Sequence, residues 1–159
     1  MQEPSPARRL ALAGLCAALY VVTTVVLQPI AFGPVQFRIG EMLKGLVIRW
    51  PDLIWAFAVG NLVANLWGSP FGPWDYLFMP VVNLVGGWLA WRLGRQHAAL
   101  GAAVFALIIA AGVAVVLNQA VGVPWLAAFA SVAASELVLI VGGLPIVGWI
   151  VARARLPLR

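Results

Sequence analysis

Residues 31–67 read AFGPVQFRIGEMLKGLVIRWPDLIWAFAVGNLVANLW, and whether this stretch makes one membrane span or two decides the fold. Pro29, Gly33 and Pro34 break the chain ahead of it. Residues 40–50 are apolar, but as an α-helix they would measure only about 16 Å at 1.5 Å per residue, too short to cross about 30 Å of hydrocarbon alone. Either they form a short or extended, half-buried helix ending at Arg49-Trp50-Pro51-Asp52, or they fuse with residues 53–67 into one Pro-kinked span. Charge decides. With a turn at Arg49 to Asp52 and the N-terminus inside, Arg8, Arg9, Arg49, Arg92, Arg95, Arg153, Arg155 and Arg159 all face the cytoplasm. With a fused span, the five arginines from Arg92 onward would face out. The turn is the better solution, and the fold expected is an all-α membrane protein, a bundle of six transmembrane helices with both termini cytoplasmic.

Composition agrees. A chain of 159 residues that is 64% hydrophobic and 9% charged, with a mean hydropathy of +1.01, is too apolar for a soluble domain. At about 20 apolar residues per span there is room for six helices and short loops, and none for an extramembrane catalytic domain. A single integral membrane domain is expected over 1–159, with helices at about 8–28, 38–50, 53–67, 76–93, 98–118 and 124–152. The last should bend at Gly142-Gly143 and Pro145. The net charge of +5 would suggest nucleic acid in a soluble protein. Here the basic residues fall between apolar runs, so topology and headgroup anchoring explain them and no nucleic-acid partner is expected. The start MQEPSPARR leads into about 19 largely apolar residues without a small-residue cleavage site and reads as a retained first helix. Trp67, Trp74 and Trp125 fall at the outer boundary, and Trp50, Trp55, Trp88, Trp91 and Trp149 near the inner one, as an aromatic belt.

Polar residues are few and concentrated. Gln36, Arg38, Glu41 and Lys44 lie within nine positions. Charges beside or inside hydrocarbon need partners, water or a ligand, since leaving them bare costs about several kcal/mol each. Arg38, Glu41 and Lys44 step by three, so a helix beginning near Phe37 aligns them along one side, Arg38 at the outer mouth and Lys44 deeper. Glu41 then either balances its two basic neighbours in a salt-bridge ladder or accepts from the NH groups of a ligand, and the two are compatible. Glu136 pairs with Arg38 or Lys44 across the bundle, or meets a cationic or NH-rich ligand. Asn61 and Asn65 share a helix face; with Asn83 and Asn118 they are interhelical hydrogen bonds of about 0.6 kcal/mol each, or ligand contacts. Asp75 is an N-cap for a helix starting at Tyr76, or part of the same site. On the first helix, Ala13/Ala17 and Gly14/Ala18 make a small-residue face that packs within the bundle or docks another subunit.

Several chemistries are excluded. Lys44 is the only lysine and has no GxxxxGK[ST] around it, so no Walker loop exists. His97 is the only histidine and Cys16 the only cysteine, which removes His-cluster metal sites and disulfides. Ser131 and Ser135 have no helix-borne histidine as base. An enzyme is not expected, nor a cofactor. Two helices with one acid each make a pocket more readily than a charge-lined pore.

Three strings resemble a known family: Ala17-Ala18-Leu19-Tyr20, FGPVQFRIGE at 32–41, and GNLVANL at 60–66 followed by Asp75. The family is the QueT-type, queuosine-precursor, substrate-binding S components of energy-coupling factor transporters. The similarity covers roughly the first 95 residues. It implies a six-helix S component without an ATPase of its own, in a bacterial cell membrane, binding a 7-deazaguanine such as queuine or its aminomethyl precursor from outside. It further implies association with a transmembrane coupling subunit and two ATPase subunits, with Ala13, Gly14, Ala17 and Ala18 contacting the coupling subunit. Glu41 would suit the guanine edge, because a carboxylate accepts two parallel NH donors, and Glu136 or Asp75 would face an aminomethyl cation. The family pattern has Ser and Thr where this chain has Gly40 and Lys44, and Lys44 is the residue that would favour an anionic ligand instead. The substrate-binding set is thus Gln36, Arg38, Glu41, Lys44, Asn61, Asn65, Asp75, Asn83 and Glu136. A rival reading is a structural membrane protein whose polar residues only knit helices together; another is an S component for a different vitamin or amino acid.

Overall fold

The computed structural model describes residues 5–33 and 35–153; Arg155 and Arg159, counted above among the inner arginines, lie outside them. Helix α1, Pro6–Val26, begins as its sequence dictates, with Pro6 in the first turn and the Ser5 hydroxyl accepting from the Arg8 N–H at 3.3 Å. It buries only Cys16, Tyr20 and Thr24, four apart and so on one stripe, while Leu10, Leu15, Leu19, Val22 and Val26 are exposed. An outer face of that kind suits lipid rather than water.

After the short α2, Gln28–Ala31, the chain forms a 3₁₀ helix, Ile39–Ile48. Helix α3, Leu53–Gly68, follows, then a π-helical turn, Trp74–Phe78, that runs directly into α4, Met79–Gly94. Helix α5 is Ala98–Val121 and α6 is Trp125–Glu136; a second π-helical turn, Leu137–Val141, leads through Gly142-Gly143 to α7, Leu144–Arg153, with Pro145 in its first turn. There is no strand among the described residues. Four continuous runs, Pro6–Val26, Trp74–Gly94, Ala98–Val121 and Trp125–Arg153, are long and apolar enough to cross a membrane. Helix α3 is shorter, 16 residues or about 24 Å.

The second segment is where structure departs most from an α-helical reading. Its 10 residues are wound with three per turn, from Glu41 N–H donating to Arg38 C=O (2.8 Å) to Arg49 N–H donating to Leu46 C=O (3.0 Å). At about 2.0 Å rise per residue it covers about 20 Å, more than the same residues would as an α-helix. Runs of this length are uncommon because the geometry is poor. Here the segment is enclosed: Gly40, Glu41, Lys44, Gly45, Leu46, Val47 and Ile48 are all buried, against α1, α3, α4, α5, α7 and the second π turn.

Helix α5 is the most enclosed long helix, packed on α4 and α6. Gly101 permits the α4 contact, since a Cβ there would fall 2.5 Å from the Ala90 carbonyl oxygen and 2.6 Å from the Gly94 Cα. At the end of the bundle where α1 starts, the Arg9 Nε donates to Asp52 Oδ2 at 2.8 Å, fixing α1 to the turn before α3. Arginines in or just after α4 and in α7 lie over tryptophans near this end: Arg92 over Trp88 (5.3 Å), Arg95 over Trp91 (5.9 Å) and Arg153 over Trp149 (5.4 Å). Trp50 is not part of that belt, being 4% exposed and packed in the core.

Gly101→Ala should therefore lower stability by about 1–3 kcal/mol through overpacking, read as a lower melting temperature in detergent. Gly14→Ala, where a Cβ meets nothing within 4 Å, should leave it unchanged. Equal behaviour of the two variants would contradict the α4–α5 contact.

Candidate functional site

The nine polar residues singled out from sequence are all buried, each exposed by 2% or less. Three irregular helical segments carry most of the charge. Glu41 and Lys44 are on the 3₁₀ helix, Asp75 is in the first π turn, and Glu136 is the residue that enters the second. Irregular turns of this kind mark functional positions more often than regular helix does.

In a 3₁₀ helix residues three apart eclipse, so Lys44 stands over Glu41 and its Nζ reaches Glu41 Oε2 at 2.5 Å. The same ammonium lies 5.2 Å from the Tyr20 ring centroid and 5.4 Å from that of Phe105. Gly40 lets the 3₁₀ helix approach α1, since a Cβ there would sit 2.9 Å from Thr23 Oγ1 and 3.2 Å from the Tyr20 Cα. That approach brings the Tyr20 hydroxyl onto Glu41 Oε1, to which it donates at 2.8 Å.

Arg38 takes another direction. It precedes the helix with extended backbone, and its guanidinium turns to the loop and to α3. Its Nε donates to the Ala31 carbonyl (3.1 Å), Nη1 to Asn65 Oδ1 (3.2 Å) and Nη2 to Gln36 Oε1 (2.8 Å), with Asp75 Oδ2 at 3.7 Å. The salt-bridge ladder centred on Glu41 is therefore corrected: Glu41 takes Lys44 alone, and Arg38 pairs with Asp75 because it lies outside the helical register. Gln36 holds a positive φ of 49°, a conformation costing about 1–3 kcal/mol for such a residue, and so presents its amide oxygen to Arg38.

Asn61 and Asn65 join the two halves. Asn61 Nδ2 donates to the Tyr20 hydroxyl (3.2 Å), Asn65 Nδ2 to Asn61 Oδ1 (3.2 Å) and to the Asp75 carboxylate and carbonyl (both 3.1 Å). Asp75 is thus not an N-cap; it lies within the π turn with its carboxylate turned inward. Asn83 donates to the Met79 carbonyl at 2.9 Å, leaving its Oδ1 without a hydrogen-bond partner. Asn118 closes the α5–α6 turn on the Val123 carbonyl, a local role. Glu136 does not form the expected pair with Arg38 or Lys44: both cations are engaged elsewhere, and its Oε2 has no hydrogen-bond partner among the described residues.

A cavity of about 420 Å³ opens at the end of the bundle opposite Arg9, lined by Phe32, Gly33, Phe71, Leu117, Val123 and Ser131 among others. Phe32 belongs to both regions, since it lines the cavity and carries the Arg38 guanidinium 4.5 Å from its ring centroid. The loop between them is pinned by Ser135, whose hydroxyl donates to the Val35 carbonyl at 2.8 Å. On the outside of α1, a second groove of about 520 Å³ runs between α1 and α3, lined by Ala13, Gly14 and Ala17 together with Arg9, Asp52 and Trp55. Ala18 is exposed and is not part of that lining.

Sequence reasoning passed over Tyr20, Phe32 and Ser135 as site members. Tyr20 carried a signal, because a lone tyrosine amid aliphatic helix must find its hydroxyl a partner. Phe32 and Ser135 carried none, as each acts through one contact across the fold.

Among the described residues no three His, Cys, Asp or Glu side chains gather as a metal site. The arrangement is a buried network of polar donors and acceptors that adjoins an apolar chamber through Phe32. A family model described as QueT transporter matches residues 10–152. No curated protein and no solved structure matches the chain. Since that match takes in the buried polar core together with nearly all of the helical scaffold, the chain belongs to the QueT transporter family.

Proposed function

We propose that this protein is the substrate-capture subunit, or S component, of an ATP-driven energy-coupling factor importer in a bacterial cell membrane. It binds a queuosine precursor, a 7-deazaguanine such as queuine or its aminomethyl form, from outside. It hands that ligand on in complex with a transmembrane coupling subunit and two ATPase subunits. The single observation that carries the ligand-binding part is a pair of buried side-chain acceptors, Asn83 Oδ1 and Glu136 Oε2, with neither a hydrogen-bond nor an ion-pair partner among the described residues; Glu41 Oε2, Lys44 Nζ and Asp75 Oδ2 also lack hydrogen bonds but are ion-paired, and Thr24 Oγ1 lies on α1, a different helix. Buried polar atoms are normally satisfied, and a ligand rich in N–H donors supplies what these lack. The neighbouring chamber has Phe32 and Phe71 in its wall, apolar surface of the kind a planar heterocycle packs against.

In this reading the chain crosses the membrane six times with both termini in the cytoplasm. The short second span is supported by the extra rise of the 3₁₀ helix, and the orientation by Arg9, Arg49, Arg92, Arg95 and Arg153 at one end. The chamber then faces outward. Gln36, Arg38, Glu41, Lys44, Asn61, Asn65, Asp75, Asn83 and Glu136 surround the ligand, with Arg38 and Gln36 bracing the loop. Glu41 keeps two lone-pair sites beyond those used by Tyr20 and Lys44 and can still take the guanine edge. The Lys44–Glu41 ion pair supports a ligand that is not anionic. Ala13, Gly14, Ala17 and Ala18 face the coupling subunit.

Glu41→Gln and Asn65→Ala should each weaken 7-deazaguanine binding to the purified protein by about 10- to 100-fold, the loss expected for a charge-assisted or network hydrogen bond. Titration calorimetry checks this, with a melting curve to confirm folding. Unchanged affinity, or no binding by the wild type, would favour polar residues that only knit the helices. Gly14→Trp places an indole in the α1–α3 groove from a position with open space around its Cβ. It should abolish pull-down of the ATPase subunits while ligand binding persists; a surviving complex would remove this face as the docking surface.

A further inference from the structure

We infer that the groove between the 3₁₀ helix and α7, at the end of the bundle where α1 starts, binds one anionic phospholipid, with the phosphate diester on Arg49 and an acyl chain against the groove wall. The groove encloses about 270 Å³ and shares no lining residue with the α1–α3 groove or with the chamber lined by Phe32, so it stands apart from the proposed capture of a small molecule. The 3₁₀ helix and α7 both run toward that end. Gly45 meets Leu144 at the deep end, where a Cβ on the glycine would sit 3.0 Å from Leu144 Cδ2. From Leu144 to Val151 the groove extends about 10 Å along α7 at about 1.5 Å per residue. Leu46, Ile48, Val147 and Val151 make its buried wall. Gly148 leaves space in it, since a Cβ there meets nothing within 4 Å.

The mouth of the groove is charged and its depth is not. Arg49 follows the 3₁₀ helix as its C-cap, exposed, and no acid lines the groove. No ion pair or cation–ring contact among the described residues includes Arg49. Other arginines at this end are engaged, Arg9 on Asp52, and Arg92, Arg95 and Arg153 on tryptophan rings. Ala98, the first residue of α5, also lines the mouth, and the positive end of that helix dipole adds to the field of the guanidinium. The arginine-stacked tryptophans place this end at the level where hydrocarbon meets headgroups, so a free cation here faces lipid phosphate. One cation over an apolar cleft is complementary to one phosphate over acyl chains. A zwitterionic lipid brings its own ammonium toward the arginine and fits less well. The chain beyond α7 carries Arg155 and Arg159, of the same sign as Arg49, so it does not complement the mouth.

The test is native mass spectrometry of the purified protein titrated with dioleoyl phosphatidylglycerol and with dioleoyl phosphatidylcholine. The wild type should take up one phosphatidylglycerol at least about fivefold more tightly than phosphatidylcholine, the preference expected of one arginine at a lipid surface. Arg49→Gln should narrow that ratio to under about twofold, and Arg95→Gln, which removes an arginine outside the groove, should preserve it. Gly148→Leu fills the groove and should weaken uptake of both lipids by at least about threefold. A wild-type ratio near one, a ratio that survives Arg49→Gln, or one that falls equally in Arg95→Gln would each overturn the assignment, the last in favour of a diffuse positive surface. Full displacement of phosphatidylglycerol by glycerol phosphate would overturn it in favour of a soluble anion. Unchanged lipid uptake in Gly148→Leu, with loss of an ATPase-subunit pull-down, would overturn it in favour of a protein partner. If Gly148→Leu does not give a folded protein by thermal melting, the two arginine variants decide the matter.

Discussion

The structure depends on one constraint: five charged side chains lie inside an apolar bundle, where each must be neutralised or hydrogen-bonded. A bare charge in that setting costs several kcal/mol. The chain meets the constraint with short local pairs and one long relay. Lys44 is closed onto Glu41 one 3₁₀ turn away, and Arg38 faces Asp75. Tyr20, Asn61 and Asn65 connect these two pairs through hydrogen bonds of 2.8–3.2 Å. Removing any member of such a network leaves its neighbours with unmet donors or acceptors, which is why the polar core and the packing of α1, α3 and the 3₁₀ helix form one unit.

The irregular backbone is best understood as serving that network. An α-helix at Ile39–Ile48 would rotate Lys44 away from Glu41 by part of a turn, whereas three residues per turn superimpose them. The π turn at Trp74–Phe78 carries Asp75 inward to Asn65, and the positive φ of Gln36 aims its amide at Arg38. Each departure has a local cost, and each is held by contacts made with other elements. Glu136 is the exception among the buried acids: it stands at the entry to a π turn, and its Oε2 has no hydrogen-bond partner among the described residues.

Much of this was legible in the sequence, for reasons that can be named. Long apolar runs such as Ala98–Val121 declare themselves by composition, and the strings at 17–20, 32–41 and 60–66 pointed to the family that the match over residues 10–152 bears out. The buried polar residues stood out because charge and amide groups are rare in such a chain. Pairing was not legible. Arg38, Glu41 and Lys44 step by three, and only the start of the helix one residue after Arg38 decides that Arg38 turns away to Asp75. The reading of Asp75 as an N-cap failed because a π turn, which has no period to detect in five residues, encloses it. Phe32 and Ser135 act through tertiary contacts with no local signature, and Trp50 is packed in the core rather than at the boundary.

The chain belongs to a transporter family, and the function proposed for it is capture of a small polar molecule beside the apolar chamber. The capture claim is tested most directly by native mass spectrometry of the wild-type protein extracted gently from cells. The account predicts a retained small molecule with the mass of a 7-deazaguanine. A protein that flies with no small molecule, or with an unrelated or anionic one, would contradict it.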